Sequence, residues 1–268
     1  MTVVDEPTLR ISAFLGMFLL VALCERRWSW RAVTRARRWP ANLSLLALDA
    51  LLLRLAFPAA AVGFALLAAS RGWGFLASVD LPTAVEWAIA CLALDAAIWL
   101  QHLLFHRVSW LWPLHRVHHS DTGIDVTTGV RFHPLEILIS MAVKAAVIVT
   151  LGAAAGAVLV FEVVLSSSSL LNHGNLRLPS RLEPLLRLVL VTPEMHRVHH
   201  SWHATEMNAN YGFTLPWWDR LFGTYLPVSR DGADGQTTGL HEWRSTQDGG
   251  FVALLLHPFR QPANGVAG

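Results

Sequence analysis

Residues 83–120 read TAVEWAIACLALDAAIWLQHLLFHRVSWLWPLHRVHHS. Residues 83–105 form an apolar run interrupted by Glu86 and Asp95. At about 1.5 Å per residue such a run crosses a bilayer as a helix. It ends in His102-Leu-Leu-Phe-His106, and nine residues later comes His115-Arg-Val-His118-His119. Residues three and four apart share a helix face. His102 and His106 therefore point the same way, and His115, His118 and His119 are expected to form a triple on one face. A membrane helix that delivers histidines at its end sets the fold class: an all-α integral membrane protein with a histidine-rich helical cap.

The rest of the chain agrees. Of its 268 residues 53% are hydrophobic and 15% charged, with a mean hydropathy of +0.41. Soluble domains carry about 25% charged residues, and so apolar a chain is not disordered. With 21 basic and 19 acidic residues and no basic stripe, nucleic acid is not a partner. Cys24 and Cys91 are the only cysteines, which excludes a disulfide framework or a thiolate metal site. The excess lies in histidine, with 13 against 2 tyrosines.

Four to five membrane helices follow from hydropathy. The first apolar run, residues 9–24, is preceded by Asp5 and Glu6, which argues for a span rather than a signal peptide. The loop after it carries Arg26, Arg27, Arg31, Arg35, Arg37 and Arg38, the mark of a cytoplasmic loop. A second run, residues 43–69, holds Asp49, Arg54 and a kink-forming Pro58. Arg54 is the expected partner of Asp95 inside the bundle. After the third span, residues 135–171 are too long for one crossing and have Gly152 and Gly156 near the middle, so they read as a helical hairpin. Residues 185–191 form a short apolar patch suited to the membrane surface. Counting sides from the arginine loop puts every histidine cluster on the cytoplasmic face. The whole chain, residues 1–268, reads as one membrane-embedded domain, with its motifs in 94–225 and a tail from 226 that is expected to be loosely ordered from Asp231 onward.

Two more clusters complete the histidine set. His173 lies in Leu-Asn-His-Gly-Asn, and His196-Arg-Val-His199-His200 repeats the earlier string, so that His-Arg-Val-His-His-Ser occurs at 115–120 and again at 196–201. Nine imidazoles can converge: His102, His106, His115, His118, His119, His173, His196, His199 and His200. Neutral imidazole binds divalent iron or zinc, and nine ligands suit two metal ions. Soluble di-iron bundles use Glu and Glu-x-x-His; here the clusters contain almost no carboxylates, so bridging oxygens or nearby carboxylates must offset the metal charge. Asp95, Glu136, Glu194 and Asp219 are close in sequence to the clusters. His241 and His257 read as structural.

These motifs resemble the fatty acid hydroxylase/sterol desaturase superfamily of membrane-bound di-iron oxygenases. The likeness rests on His102–His106, His115–His119, Phe132-His133-Pro134-Leu135-Glu136, His173, Met195–His200, Asn210-Tyr211-Gly212-Phe213 and the stretch 217–225. It implies the nine histidines above as ligands to two irons, with His133 and His203 as further candidates and Asp95, Glu136 and Asp219 as partners of the ligands. It implies O2 as co-substrate, a membrane lipid as substrate, and a separate electron donor of ferredoxin or cytochrome type, which Arg107, Arg116 or Arg197 would dock if they do not instead contact lipid head groups. Arg177, four residues after His173, stands where fatty-acid 2-hydroxylases carry a further histidine, which weakens that particular reading. Hydroxylation leads; desaturation, ether-lipid oxidation and carotenoid hydroxylation share the scaffold. From another class, a zinc-binding membrane hydrolase or non-redox scaffold is the competitor, although one zinc needs only three protein ligands. The absence of eukaryotic sorting signals and the richness in arginine point to a bacterial inner membrane.

Overall fold

The computed structural model describes residues 5–245 and 249–261, and among these it contains no β-strand, only two isolated bridges. Five segments are long and apolar enough to cross a membrane: Glu6–Arg27, Arg38–Ser78, Thr83–Arg107, Pro134–Leu151 and Ala155–Asn172. The protein is an integral membrane protein.

Helix α1 (Glu6–Arg27) starts where Asp5 accepts the Thr8 amide at 2.8 Å. The second span is broken into α2 (Arg38–Ala56) and α3 (Ala60–Arg71) around Pro58, as proline's missing N–H dictates. Helix α4 (Thr83–Arg107) is followed by the short α5 (Trp112–His119). The hairpin legs are α6 (Pro134–Leu151) and α7 (Ala155–Asn172), and α6 stops at Gly152 in the left-handed conformation, φ 71°. At that turn Gly74 lies so close that a Cβ on it would come within 2.1 Å of the Gly152 nitrogen. The core among α3, α4, α6 and α7 is rich in small residues, with Ala61, Ala65, Ala90 and Ala157 fully buried beside Leu94, Ile148 and Phe161. Small side chains let helix backbones approach where lipid gives no hydrophobic drive to associate.

The remaining helices are short: α8 (Glu183–Leu186), α9 (Pro193–His199), α10 (Ala204–Met207), α11 (Trp217–Leu221), α12 (Gly232–Gly235) and α13 (Phe251–Leu256). Together with α5 they form the cap. The C-terminus of α1, the N-terminus of α2, the C-terminus of α4, the N-terminus of α6 and the C-terminus of α7 all meet it. Ser29 bridges Leu176, Arg38 reaches the loop after α5, and Gly74 meets Gly152 at the opposite end. The bent α2–α3 pair thus crosses once, and all histidine-bearing ends share one side.

Several expectations change. Asp95 does not pair with Arg54: its Oδ2 accepts from Trp218 Nε1 at 2.8 Å, while Arg54 turns to the Pro58 carbonyl at 3.5 Å. Trp218 lies within reach of Asp95, whereas α2 bends away at Pro58. In the described part of the segment after Asp231, Leu254 packs in a core cluster with Ala41, Leu45 and Val117. Residues 246–248 and 262–268 of that tail lie outside the described residues.

One buried ion network joins the spans to the cap. Arg38 donates to Asp121 at 2.5 and 2.8 Å and to Asp125 at 2.7 Å. Asn42 donates to Thr127, and Arg131 donates to Asn42 and Ser120. Burial pushes the Asp121 carboxyl up, but Arg38 and Arg131 more than offset it and hold it below its usual value. Removing one partner of a buried pair strands the other charge. Arg38→Ala is therefore expected to cost about 3–5 kcal/mol, read as a lower denaturation midpoint in detergent; an unchanged midpoint would contradict this role.

Candidate metal centre

The nine histidines meet inside the cap in two groups. His102, His106, His115, His119 and His199 form one, and His118, His173, His196 and His200 the other; within each group one nitrogen per ring lies within 4.8 Å of all the others. Only His106 is partly exposed.

The two repeats sit on short helices opened by proline. Pro113 lies in the first turn of α5, and Pro193 begins α9, where Thr192 accepts the Met195 amide at 3.3 Å. Each repeat divides between the groups instead of presenting a triple to one. In α5 the pair four apart, His115 and His119, joins the first group, and His118 crosses to the second. In α9 and its cap the pair His196 and His200 joins the second group, and His199 crosses to the first. Positions i and i+4 lie on one stripe while i+3 is turned to the other side of it, so two facing helices exchange one ring each. At the boundary the rings of His119 and His200 stack at 4.6 Å.

Hydrogen bonds fix the tautomers. Five rings donate from Nδ1 to oxygen: His102 to the Tyr211 carbonyl at 2.7 Å, His115 to Glu136 Oε1 at 2.6 Å, His118 to the Arg131 carbonyl at 3.2 Å, His173 to the Ser169 carbonyl at 2.6 Å and His199 to the Ala209 carbonyl at 2.7 Å. A carbonyl only accepts, so the Nδ1 facing it carries the proton. A neutral imidazole has one N–H, so Nε2 in each of the four rings that face a carbonyl is a bare lone pair. Yet these Nε2 atoms face one another: His102 lies 3.0 Å from His115 and 3.0 Å from His199, and His173 lies 2.9 Å from His118 and 2.9 Å from His196. Between His102 and His199, and between His173 and His118, no proton is left to place, because all four rings hold theirs at Nδ1 against a carbonyl. Such a cluster repels itself unless a cation sits among the lone pairs. Among the described residues, His119 and His200 have no hydrogen-bond partner on either nitrogen, and His106 Nε2 has none either. The donor set therefore fits metal ions, with Nε2 the nitrogen left free to ligate wherever Nδ1 is engaged.

Burial keeps the rings neutral, which metal binding requires. Desolvation takes His115 down to about 3 and His173 to about 4, and holds His118, His119, His196, His199 and His200 well below the ordinary value.

The other candidates lie outside both groups. Glu136 anchors His115 directly. Asp219 acts one layer further out: it accepts from Trp99 Nε1, Thr224 Oγ1 and the Tyr211 and Gly212 amides, which fixes the backbone whose carbonyl receives His102. Asp95 reaches Trp218 and no histidine. His133 caps α6, accepting the Leu135 amide at 3.2 Å and facing the Leu255 carbonyl at 3.2 Å. His203 contacts Asp231 at 2.6 Å. Glu194 approaches Arg187 at 3.8 Å. Of the arginines, Arg197 is buried against Trp30 and the Leu176 carbonyl, and Arg116 is held by the His257 and Arg260 carbonyls. Arg107 alone of the three is exposed. Arg131, Ser169 and Ala209 were invisible in the sequence because they serve the site through backbone carbonyls.

Comparison with known proteins agrees with this chemistry. Residues 87–224 match the family model described as fatty acid hydroxylase. The chain is 32% identical over 183 residues to the ornithine lipid hydroxylase OlsE of Rhizobium tropici, covering 66% of this chain and 51% of that one. It is 30% identical over 202 residues to alkylglycerol monooxygenase of Danio rerio, 70% of this chain and 40% of the relative. It is 30% identical over 142 residues to cholesterol 25-hydroxylase of Homo sapiens, 52% and 51% of the two chains. The matches thus span about half or less of these relatives' lengths. No solved structure matches the chain.

The neutral imidazoles give a signed pH dependence. Unfolded histidine takes up a proton near pH 6.5, whereas His173 and His115 resist until about 4 and 3. The unfolded chain therefore binds more protons between those values, and stability of the metal-free protein is full above pH 6.5 and falls as pH drops towards 4 and then 3. Denaturation midpoints measured after chelation from pH 8 to 4 should decrease; a flat profile would contradict neutral buried rings.

Proposed function

The chain belongs to the fatty acid hydroxylase family, and from that premise we propose that it hydroxylates a C–H bond of a membrane lipid with O2 at two irons. The reaction consumes RH, O2, two electrons and two protons and yields ROH and water, with the electrons delivered by a separate ferredoxin- or cytochrome-type protein. When bound, the irons supply O2 activation.

The proposed ligands are His102, His106, His115, His119 and His199 to one ion and His118, His173, His196 and His200 to the other. The observation that carries this is the set of Nε2 lone pairs aimed at one another about 3 Å apart in both groups. The residues around them have separable tasks. Glu136 and the carbonyls of Arg131, Ser169, Ala209 and Tyr211 hold ring orientation and tautomer. The buried cap excludes bulk water, so that the reacting carbon competes with nothing else for the oxidant. A zinc hydrolase would leave most of nine ligands without a role.

We place the histidine-bearing end in the cytoplasm of a bacterial inner membrane. Arg26, Arg27 and Arg37 are exposed at that end, in keeping with the positive-inside rule.

Iron content and oxygen use test the proposal together. Detergent-purified protein should hold about two irons per chain, in line with other paired-iron helical sites, and should consume O2 on reduction only when bacterial lipid is added. His199→Ala and His196→Ala, one from each group, should each lower iron to about one per chain and abolish lipid-dependent uptake. Zinc alone, with no uptake after iron reconstitution, would sink the redox reading.

A further inference from the structure

A cavity of about 480 Å³ opens beside the first histidine group, between the end of α4, α10 and residues 223–230. That volume lies in the range of small-molecule sites, about 300–1,000 Å³. Its wall includes Arg107, Glu206, Asn208, Tyr225, Ser229 and Arg230. Arg107 is the last residue of the α4 span, so the cavity sits at the level of the lipid head groups.

Two features separate this cavity from an ordinary polar cleft. The first is its charge. Arg107 and Arg230 are exposed cations, and Arg107 pairs with no carboxylate among the described residues. Glu206 is 98% buried, and among the described residues its oxygens accept only from the Arg230 amide at 2.7 Å and the Ser229 hydroxyl at 2.9 Å. A buried carboxylate without a cation among the described residues is costly, and the cavity supplies the place from which a cation would reach it. The second feature is position. Tyr211 packs its ring 5.2 Å from His106 and 5.6 Å from His199, while its hydroxyl reaches Asn208 at 3.4 Å and lies within the electrostatic reach of Arg107. Ala209, also in the cavity wall, holds His199 through its carbonyl. One layer of residues thus separates the cavity from the metal-binding rings, on the side of His106, the one ring that is not fully buried.

The surroundings are amphipathic. Val228 in the wall is 57% exposed, and Phe222, which directly precedes Gly223 of the wall, is 58% exposed. A ligand seated here would place a charged head in the cavity and apolar chains over these residues towards the bilayer.

We propose that this cavity binds the head group of a zwitterionic lipid, its ammonium at Glu206 and its anionic group, phosphate or carboxylate, at Arg107 and Arg230. The assignment of that lipid as substrate rests on the oxygenase reading above; the binding itself does not. Sterols and diacylglycerols, which lack both charges, are poor ligands for the site.

Lipid binding to the iron-loaded full chain, followed by native mass spectrometry in detergent, tests this without turnover. Phosphatidylethanolamine should bind about tenfold more tightly than cholesterol or diacylglycerol, a difference of about 1.4 kcal/mol, and more tightly than phosphatidylglycerol, which lacks the ammonium. Arg107→Gln and Glu206→Gln should each weaken phosphatidylethanolamine about tenfold with iron content unchanged, and Arg71→Gln at the far end of α3 should not. Because Arg107 is exposed, its variant decides the matter even if Glu206→Gln fails to fold. Equal binding of neutral lipids, equal binding of phosphatidylglycerol, or insensitivity to Arg107→Gln would overturn the proposal. So would soluble glycerophosphoethanolamine binding as tightly as the lipid, which would make this a site for a free small molecule. Selective binding without O2 uptake would leave the head-group site standing and remove the oxygenase reading instead.

Discussion

Imidazole rings held so that bare Nε2 lone pairs face one another are the constraint on which the structure turns. Each such contact is repulsive alone and becomes favourable only around a cation. The protein prepares it by occupying Nδ1: five rings meet an oxygen acceptor there, and the carbonyls among these cannot donate back. Four of those acceptors are backbone carbonyls, whose directions are set by secondary structure and not by rotamer choice. Orientation of these rings is therefore a property of the fold, and the spans, the cap and the buried ion network around Arg38 exist in a relation that keeps those carbonyls in place.

The repeated His-Arg-Val-His-His-Ser string gains its meaning from geometry. Two proline-opened helices, α5 and α9, each give an i, i+4 pair to one group and the intervening i+3 ring to the other. The span α4 completes the first group with His102 and His106, and the end of α7 completes the second with His173. Neither group can form without both repeats. This interlock ties four separate chain segments to one centre, and it explains why carboxylates stay in supporting positions: Glu136 on His115, and Asp219 behind the Tyr211 amide.

Much of this was legible in the sequence. Hydropathy located the spans, Pro58 marked the break between α2 and α3, Gly152 marked the hairpin turn, and helical spacing picked out the nine histidines. What sequence spacing missed was tertiary. The splitting of each triple requires two helices to face each other, which i+3 and i+4 arithmetic on one helix does not contain. The Asp95–Arg54 pairing failed because Trp218, more than a hundred residues away, supplies a closer donor. The carbonyls of Arg131, Ser169 and Ala209 carry no side-chain signature at all. Tyr211 stood inside a recognisable motif, but its place as the wall between the histidines and a charged cavity appears only in three dimensions.

The most direct test is where metal sits. Crystals of the iron-reconstituted protein, measured on either side of the iron absorption edge, would locate each ion independently of any assumed chemistry. Two separate anomalous peaks, one amid His102, His106, His115, His119 and His199 and one amid His118, His173, His196 and His200, are the expected result. A single peak shared by the two groups, or peaks outside them, would contradict the account.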